Sequence, residues 1–306
     1  MLRQVILAAS RSGALRRTVE HAPVSKQVVR RFVPGASVEE AVRACEQLVT
    51  SGRAVTVDYL GEDTLDVSQA EATVQAYLTV LEQLAGEGLT RDGRAEVSVK
   101  LSAIGQTLDP ARSVDNARRI CAAAERAGTT VTLDMEDHTT TDATLEALAE
   151  LRRDFPATGA VLQSYLRRTE ADCRDLATAG SRVRLCKGAY KEPESVAFQD
   201  KDEVDRSYVR CLKVLMAGPG YPMVATHDPR MIAIAADLAK DRPKGSYEYQ
   251  MLYGIRPTEQ QRLAAEGETM RVYVPYGDEW YGYFMRRLAE RPANVTFFLR
   301  SLATRS

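Results

Sequence analysis

No stretch of the 306-residue chain approaches the ~18 consecutive apolar residues of a membrane-spanning helix. The longest apolar run near the N-terminus, residues 5–9, is shorter than the ~7–15-residue core of a signal peptide. The five cysteines (Cys45, Cys121, Cys173, Cys186 and Cys211) are odd in number, scattered, and never paired as C-x-x-C. They read as reduced thiols of a cytoplasmic protein, not as a disulfide frame or a zinc site. Histidine is scarce: His21, His138 and His227 stand apart, with no metal-ligand spacing, so no metal is expected. There is no G-x-S-x-G elbow and no Walker loop. The nearest approach to a dinucleotide fingerprint, Gly218-Pro-Gly220, lacks the third glycine and precedes a strand pattern. An excess of one charge is also missing. With 41 basic and 42 acidic residues, the chain lacks the strongly basic balance of a nucleic-acid binder.

What is present is the balance of a folded, soluble protein. The chain is 44% hydrophobic and 27% charged, too apolar for a disordered tail. The length allows two domains of ~150 residues, or one α/β barrel of ~250 residues with an extension. Charge is uneven along it. Residues 1–31 carry seven basic side chains (Arg3, Arg11, Arg16, Arg17, Lys26, Arg30 and Arg31) against Glu20 alone, a net +6 that leaves −7 for the rest. This segment reads as a solvated helical extension or, alternatively, as a surface that touches an anionic membrane peripherally.

From residue 54 onward, short β-branched runs alternate with amphipathic helical patterns. Strands are expected at 54–60, 95–101, 129–135, 159–164, 182–186, 222–226, 246–252 and 269–274. Helices are expected at 67–85, 110–127, after the 139–141 threonine cluster, and at 169–179, 203–216, 229–240, 257–266 and 279–290. Eight strand-plus-helix units in series imply parallel strands joined by crossover helices. They point to a closed (β/α)8 barrel spanning 54–306 in preference to an open doubly wound sheet, with 1–53 as an N-terminal helical extension.

In such a barrel the site sits where strands end, on the C-terminal face. Seven strands place a polar group there: Lys100, Asp134, Gln163, Arg184 with Lys187, Thr226 with His227, Glu248 with Gln250, and Tyr273. Beyond the eighth strand, Tyr283, Arg286, Arg287 and Glu290 recur at spacings of three and four and so share one helical face. The arginine pair suits a bidentate clamp on a carboxylate, since a planar guanidinium fork matches that group better than a lysine does. Taken alone, the same string also reads as a solvated basic helix.

Together these residues resemble the proline dehydrogenase family, flavin enzymes that oxidise L-proline. The matching strings are VSVKLSAIG (97–105), LDMED (133–137), LQSYLRR (162–168), VRLCKGAY (183–190), ATHD (225–228), EYQMLYGIR (248–256) and VYVPYGDEWYGYFMRRLAE (272–290). The resemblance covers about two-thirds of the chain, in order, and implies a (β/α)8 barrel of the single-function bacterial type that binds FAD. It implies that Lys100, Arg286 and Arg287 bind the substrate carboxylate and that Asp134 orients this cluster and Tyr273. Tyr190, Leu252, Tyr273 and Tyr283 would wall the pyrrolidine ring, and Arg184 would sit by the flavin. Met135, Gln163, Lys187, Gly188, Ala189, Thr226, His227, Gln250 and Glu290 would hold the FAD. Two positions depart from the common pattern, Arg291 for asparagine and Cys186 for valine, and both leave the charged groups in place. The implied reaction converts L-proline to 1-pyrroline-5-carboxylate, with a quinone as electron acceptor. The alternatives are a barrel aldolase using Lys187 as a Schiff base, and a non-catalytic flavin or amino-acid sensor.

Overall fold

The computed structural model describes residues 29–61 and 64–290, with side chains through Arg287. Most of the basic N-terminal segment (1–28) and residues 291–306 lie outside the described residues. Eight parallel strands, β1 (Ala54–Tyr59), β2 (Ala95–Val99), β3 (Val131–Leu133), β4 (Ala160–Gln163), β5 (Arg182–Cys186), β6 (Tyr221–Ala225), β7 (Glu248–Leu252) and β8 (Met270–Tyr276), are ordered 3-2-1-8-7-6-5-4. The β1–β8 ladder brings the two ends of the series together, pairing Val55 with Val272 and Val57 with Val274. Between β3 and β4 the sheet is joined by a single bridge, Thr132 to Gly159, with Leu133 N–H donating to Gly159 O at 2.9 Å. That thin seam explains why β3 is shorter than its apolar run: Asp134 and Met135 leave the strand and turn toward the barrel mouth.

The helices sit where capping chemistry starts them. Ahead of the barrel, α1 (Val38–Thr50) opens with a capping box in which the Ser37 side chain accepts from Glu40 N–H and Glu40 reaches back to Ser37 N–H. The crossover helices α2 (Val67–Gly86), α3 (Pro110–Arg126), α4 (Thr141–Leu151), α5 (Thr169–Leu176), α6 (Lys201–Ala217), α7 (Pro229–Leu238) and α8 (Pro257–Ala265) follow the first seven strands, and α9 (Trp280–Glu290) follows β8. Asp66, Asp109, Asp200 and Asp228 cap α2, α3, α6 and α7, with proline at the first turn of α3 and α7. Among the described residues no helix is long and apolar enough to cross a membrane, and all five cysteines are free thiols.

One apolar core fills the space between strands and helices, with Tyr77, Leu81, Ile120, Leu151 and Tyr208 almost wholly buried. A second, smaller core lies over the barrel mouth. There Val29, Phe32 and Val33 pack against Leu60, Tyr281, Phe284 and Met285, so the end of the N-terminal segment supports the outer face of α9. Its backbone runs so close to the β7–α8 loop that a Cβ on Gly254, at φ +72°, would lie 1.7 Å from Arg31 O; only glycine fits.

The barrel's inside is unusual. Such barrels are ordinarily filled by layers of branched apolar side chains. Here the N-terminal strand ends contribute Glu96, Glu248 and Arg271, all buried, and the half-buried Arg182, all ion-paired: Arg182 to Glu96 at 2.5 Å, Arg271 to Glu248 at 2.8 Å and to Glu96 at 3.8 Å. This corrects the expectation for Glu248. It opens β7 instead of ending it, and it belongs to this lower layer, away from the mouth. Burial alone would raise the Glu96 carboxyl, but Arg182, Arg271 and Arg184 outweigh it and hold the group at about 2, against an ordinary 4.5. The stability this contributes is present above pH 4.5 and is lost as pH falls toward 2. Glu96→Gln is therefore expected to be less stable at pH 7 and to lose less further stability on acidification than the parent. Urea midpoints across that pH range test this; parallel losses would remove Glu96 as a source of the acid dependence.

Candidate active site

Above the ion layer, the strand ends enclose a cavity of about 520 Å³ open at the C-terminal face. Its charged floor is one connected network. Asp134, just past β3, accepts from Arg184 Nη1 at 2.6 Å and Ser98 Oγ at 2.7 Å through Oδ1, and from the Tyr273 hydroxyl at 2.7 Å through Oδ2. Lys100 Nζ lies 3.5 Å from Asp134 and donates to Tyr273 Oη at 3.3 Å. Its main partner is Asp58 at the end of β1, both of whose oxygens accept from it, at 2.8 and 2.9 Å. The Arg184 guanidinium also lies 5.4 Å from the Tyr273 ring centre, within cation–π range.

The two acids are driven in opposite directions. Burial pushes the Asp58 carboxyl above the ordinary range, and Lys100 offsets this only in part. Burial acts on Asp134 too, but Lys100 and Arg184 prevail and hold it below the ordinary range. Burial raises the Tyr273 phenol well above its usual value, reinforced by Asp134 and Asp58, so it stays a hydroxyl that can donate.

One side of the cavity is formed by α9. Its Tyr283, Arg286 and Arg287 face the opening, and the Arg287 guanidinium, on a residue only 8% exposed, lies 4.9 Å from the Tyr283 ring centre. Leu252 and Tyr190 add apolar and aromatic surface to the lining. Met135, Gln163, Lys187, Gly188, Ala189, Thr226, His227 and Gln250 line the same cavity. Gln163 is fixed by donation to Glu136 O at 2.7 Å, and Gln250 by donation to Glu248 at 2.5 Å. His227 Nε2 accepts from Leu252 N–H at 2.9 Å, which leaves the ring proton on Nδ1. Gly188, at φ +109°, lies on the Tyr165 ring so closely that a Cβ would fall 2.3 Å from it.

The site residues expected from the sequence thus line this one cavity, except Glu248, which lies in the ion layer below it, and Glu290, whose side chain lies outside the described residues. Lys187 lines it as an anchored ion. Its Nζ donates to Asp205 at 2.5 Å and to Asp228 at 3.0 Å, a tethering that does not suit a free Schiff-base nucleophile. Among the described residues, no group of three or more His, Cys, Asp or Glu is arranged to hold a metal.

Sequence reading missed Asp58 and Ser98. Asp58 was within reach: β1 alone had no strand-end polar residue assigned, and AVTVDYL places an aspartate there. Ser98 carries no such signal, because its inward direction follows only from the register that pairs it with Asp58.

Eight parallel strands with a cationic, partly apolar cavity at their C-terminal ends define a (β/α)8-barrel protein with its site at the barrel mouth. A family model for proline dehydrogenase matches residues 41–300, and the chain belongs to that family. It is 38% identical over 304 residues to "Proline dehydrogenase 1" of Bacillus subtilis, covering 99% of both chains. It is 39% identical to "Proline dehydrogenase" of Deinococcus radiodurans, covering 93% of this chain and 96% of that one. Among solved structures, proline utilization A (PutA) from Bdellovibrio bacteriovorus, inactivated by N-propargylglycine, matches with a TM-score of 0.80 and 27% identity. That match covers 87% of this chain and 33% of the other, so this chain spans about a third of that protein's length.

Proposed function

We propose that this chain is an FAD-dependent proline dehydrogenase that oxidises L-proline to 1-pyrroline-5-carboxylate, with a quinone as the final electron acceptor. The observation that carries the reading is the pairing, within one cavity, of a cationic end (Lys100, Arg286, Arg287) with an apolar wall (Tyr190, Leu252, Tyr273, Tyr283). A small cyclic amino acid presents those two faces.

The residues also fit a flavin. Arg184 Nε is buried with no hydrogen-bond partner among the described residues, a donor that a group with acceptor atoms in the cavity can satisfy, while its Nη2 lies 3.9 Å from Glu96. Gly188, whose missing Cβ lets its backbone lie on the Tyr165 ring, presents main chain to the cavity it lines. Arg184, Met135, Gln163, Lys187, Gly188, Ala189, Thr226, His227 and Gln250 would hold it, with Glu290 at the far end of α9. FAD supplies the two-electron acceptance that no side chain here can provide.

The protein's own part is geometric and electrostatic. Lys100, Arg286 and Arg287 hold the carboxylate and fix the ring against the tyrosines. The same positive field favours loss of the proton from the substrate's ring nitrogen, freeing its lone pair. Asp134 keeps Arg184, Tyr273 and Lys100 in register by bonding or ion-pairing with all three. Residues 1–53 serve as an extension, with 54–306 as the catalytic barrel. The basic segment 1–31 offers an anionic membrane a peripheral contact.

The test is a visible spectrum of the purified protein. Flavin absorption that bleaches on anaerobic addition of proline supports the reading, and a flavin that proline does not bleach contradicts it. A second measurement concerns ring size. Tyr283 is buried at the cavity wall, so Tyr283→Ser is expected to raise 4-hydroxyproline turnover relative to proline by opening room for the hydroxyl. The ratio of kcat/KM for the two substrates decides it; an unchanged ratio places Tyr283 away from that ring carbon.

A further inference from the structure

Three rim loops meet at a carboxylate that does not line the cavity. Glu192 lies four residues beyond Gly188, in the loop between β5 and α6, with its side chain 3% exposed. Its Oε1 accepts from the His138 backbone N–H at 2.9 Å and from the Tyr165 hydroxyl at 3.2 Å, while Oε2 meets His138 Nδ1 at short range. His138 belongs to the loop after β3, Tyr165 to the loop after β4. One carboxylate therefore ties its own loop to the two before it. A Glu–His pair also has the look of a catalytic dyad, but neither residue lines the cavity.

What this knot supports is the segment that does. Tyr165 N–H donates to Lys187 O at 2.9 Å, and the Tyr165 ring is the surface on which Gly188 rests. Tyr190 packs against the small cluster of Tyr165, Leu166 and Ala197. On the return path, Gln199 Nε2 donates to Glu192 O at 3.2 Å. Moving Tyr165 moves the floor beneath Gly188. A carboxylate is costly to bury, and it is tolerated here because its hydrogen bonds compensate.

We propose that Glu192 is a positioning residue: it clasps the three rim loops around residues 188–190 and thereby sets how tightly the cavity holds its flavin. This rests on the flavin reading given above. Removing the charged acceptor leaves buried donors of two loops without a partner, and it frees the segment to sample other conformations before binding.

The experiment compares the full-length holoprotein with Glu192→Gln and Tyr165→Phe. The readouts are the FAD Kd, proline KM at saturating FAD, the thermal midpoint of the apoprotein, and the rate of tryptic cleavage at the exposed Lys191. Glu192→Gln is expected to raise the FAD Kd about tenfold or more, the consequence of losing a charge-assisted hydrogen bond. Cleavage at Lys191 should accelerate, and proline KM should move much less than the FAD Kd. Tyr165→Phe, which keeps the ring beneath Gly188 and loses one bond, should fall between the parent and Glu192→Gln. An unchanged Kd with unchanged cleavage overturns the proposal. So does a lowered apoprotein midpoint with no selective cleavage at Lys191, which marks general destabilisation. If the parent protein takes up no FAD, the flavin reading fails, and the cleavage rates still decide whether the clasp exists.

Discussion

Arg287→Lys is expected to lower kcat/KM for proline by roughly 30- to 1000-fold, a loss of ~2–4 kcal/mol in transition-state stabilisation. The side chain is buried against the Tyr283 ring at the cavity wall, so its charge acts where water screens it poorly. Lysine keeps the charge but not the planar fork, and it cannot stack on the tyrosine in the same way. Arg286 faces the same cavity and is more exposed, so Arg286→Lys should cost less. On an ordinary surface helix either change would stay within about 0.5 kcal/mol. Steady-state kinetics with flavin content measured in parallel make the test. Near-parental kcat/KM in both variants returns α9 to the role of a solvated basic helix, and loss of flavin in either moves these arginines to the cofactor end.

Asp134→Ala is the second large effect. The carboxylate is the shared acceptor for Arg184, Ser98 and Tyr273, with Lys100 in ion-pair range. Without it, a guanidinium is left in the barrel with its strongest partner gone, and breaking a buried pair from one side costs about 3–5 kcal/mol. Asp134→Asn should keep more of the stability, because the amide retains an acceptor oxygen, yet it loses the charge that balances Arg184. The sign of the pH dependence follows from the depressed Asp134 carboxyl: its contribution is present above the ordinary 3.8 and disappears as pH falls through its lower folded value. Urea midpoints report the first effect and the rate of flavin reduction by proline reports the second. A parental midpoint for Asp134→Ala would mean that Arg184 finds another partner, and the network would not be organised by this residue.

How far the sequence reached is clearest at particular positions. Alternation of short apolar runs with helical patterns was enough for the barrel, because each crossover must cover one sheet face and its period announces which face. Strand ends were legible where a polar residue interrupts an apolar run, as at Lys100, Asp134 and Gln163. The resemblance carried the residues that lack such a pattern, Gly188 and Ala189 among them. Glu248 misled because position along a strand cannot be read from polarity alone: the ladder begins at Glu248, two residues later than the apolar run suggested. Asp58, Ser98 and Glu192 matter through partners 27 to 54 residues away, and such distances enter only once strand register is set.

The charged layer at the base of the barrel bears on how this sequence can change. Glu96, Arg182, Glu248 and Arg271 come from four different strands and neutralise one another, three of them buried and Arg182 half-buried. Losing any one leaves an unbalanced charge at the centre of the molecule, so stepwise drift toward an ordinary aliphatic filling must cross a poorly folded intermediate. Opposite charges removed in pairs escape that penalty. Double replacements such as Glu248 with Arg271, made apolar together, should therefore be far better tolerated than either single change. In energetic terms the four positions then form one unit, in which a change at one is tolerated best when its partner changes with it.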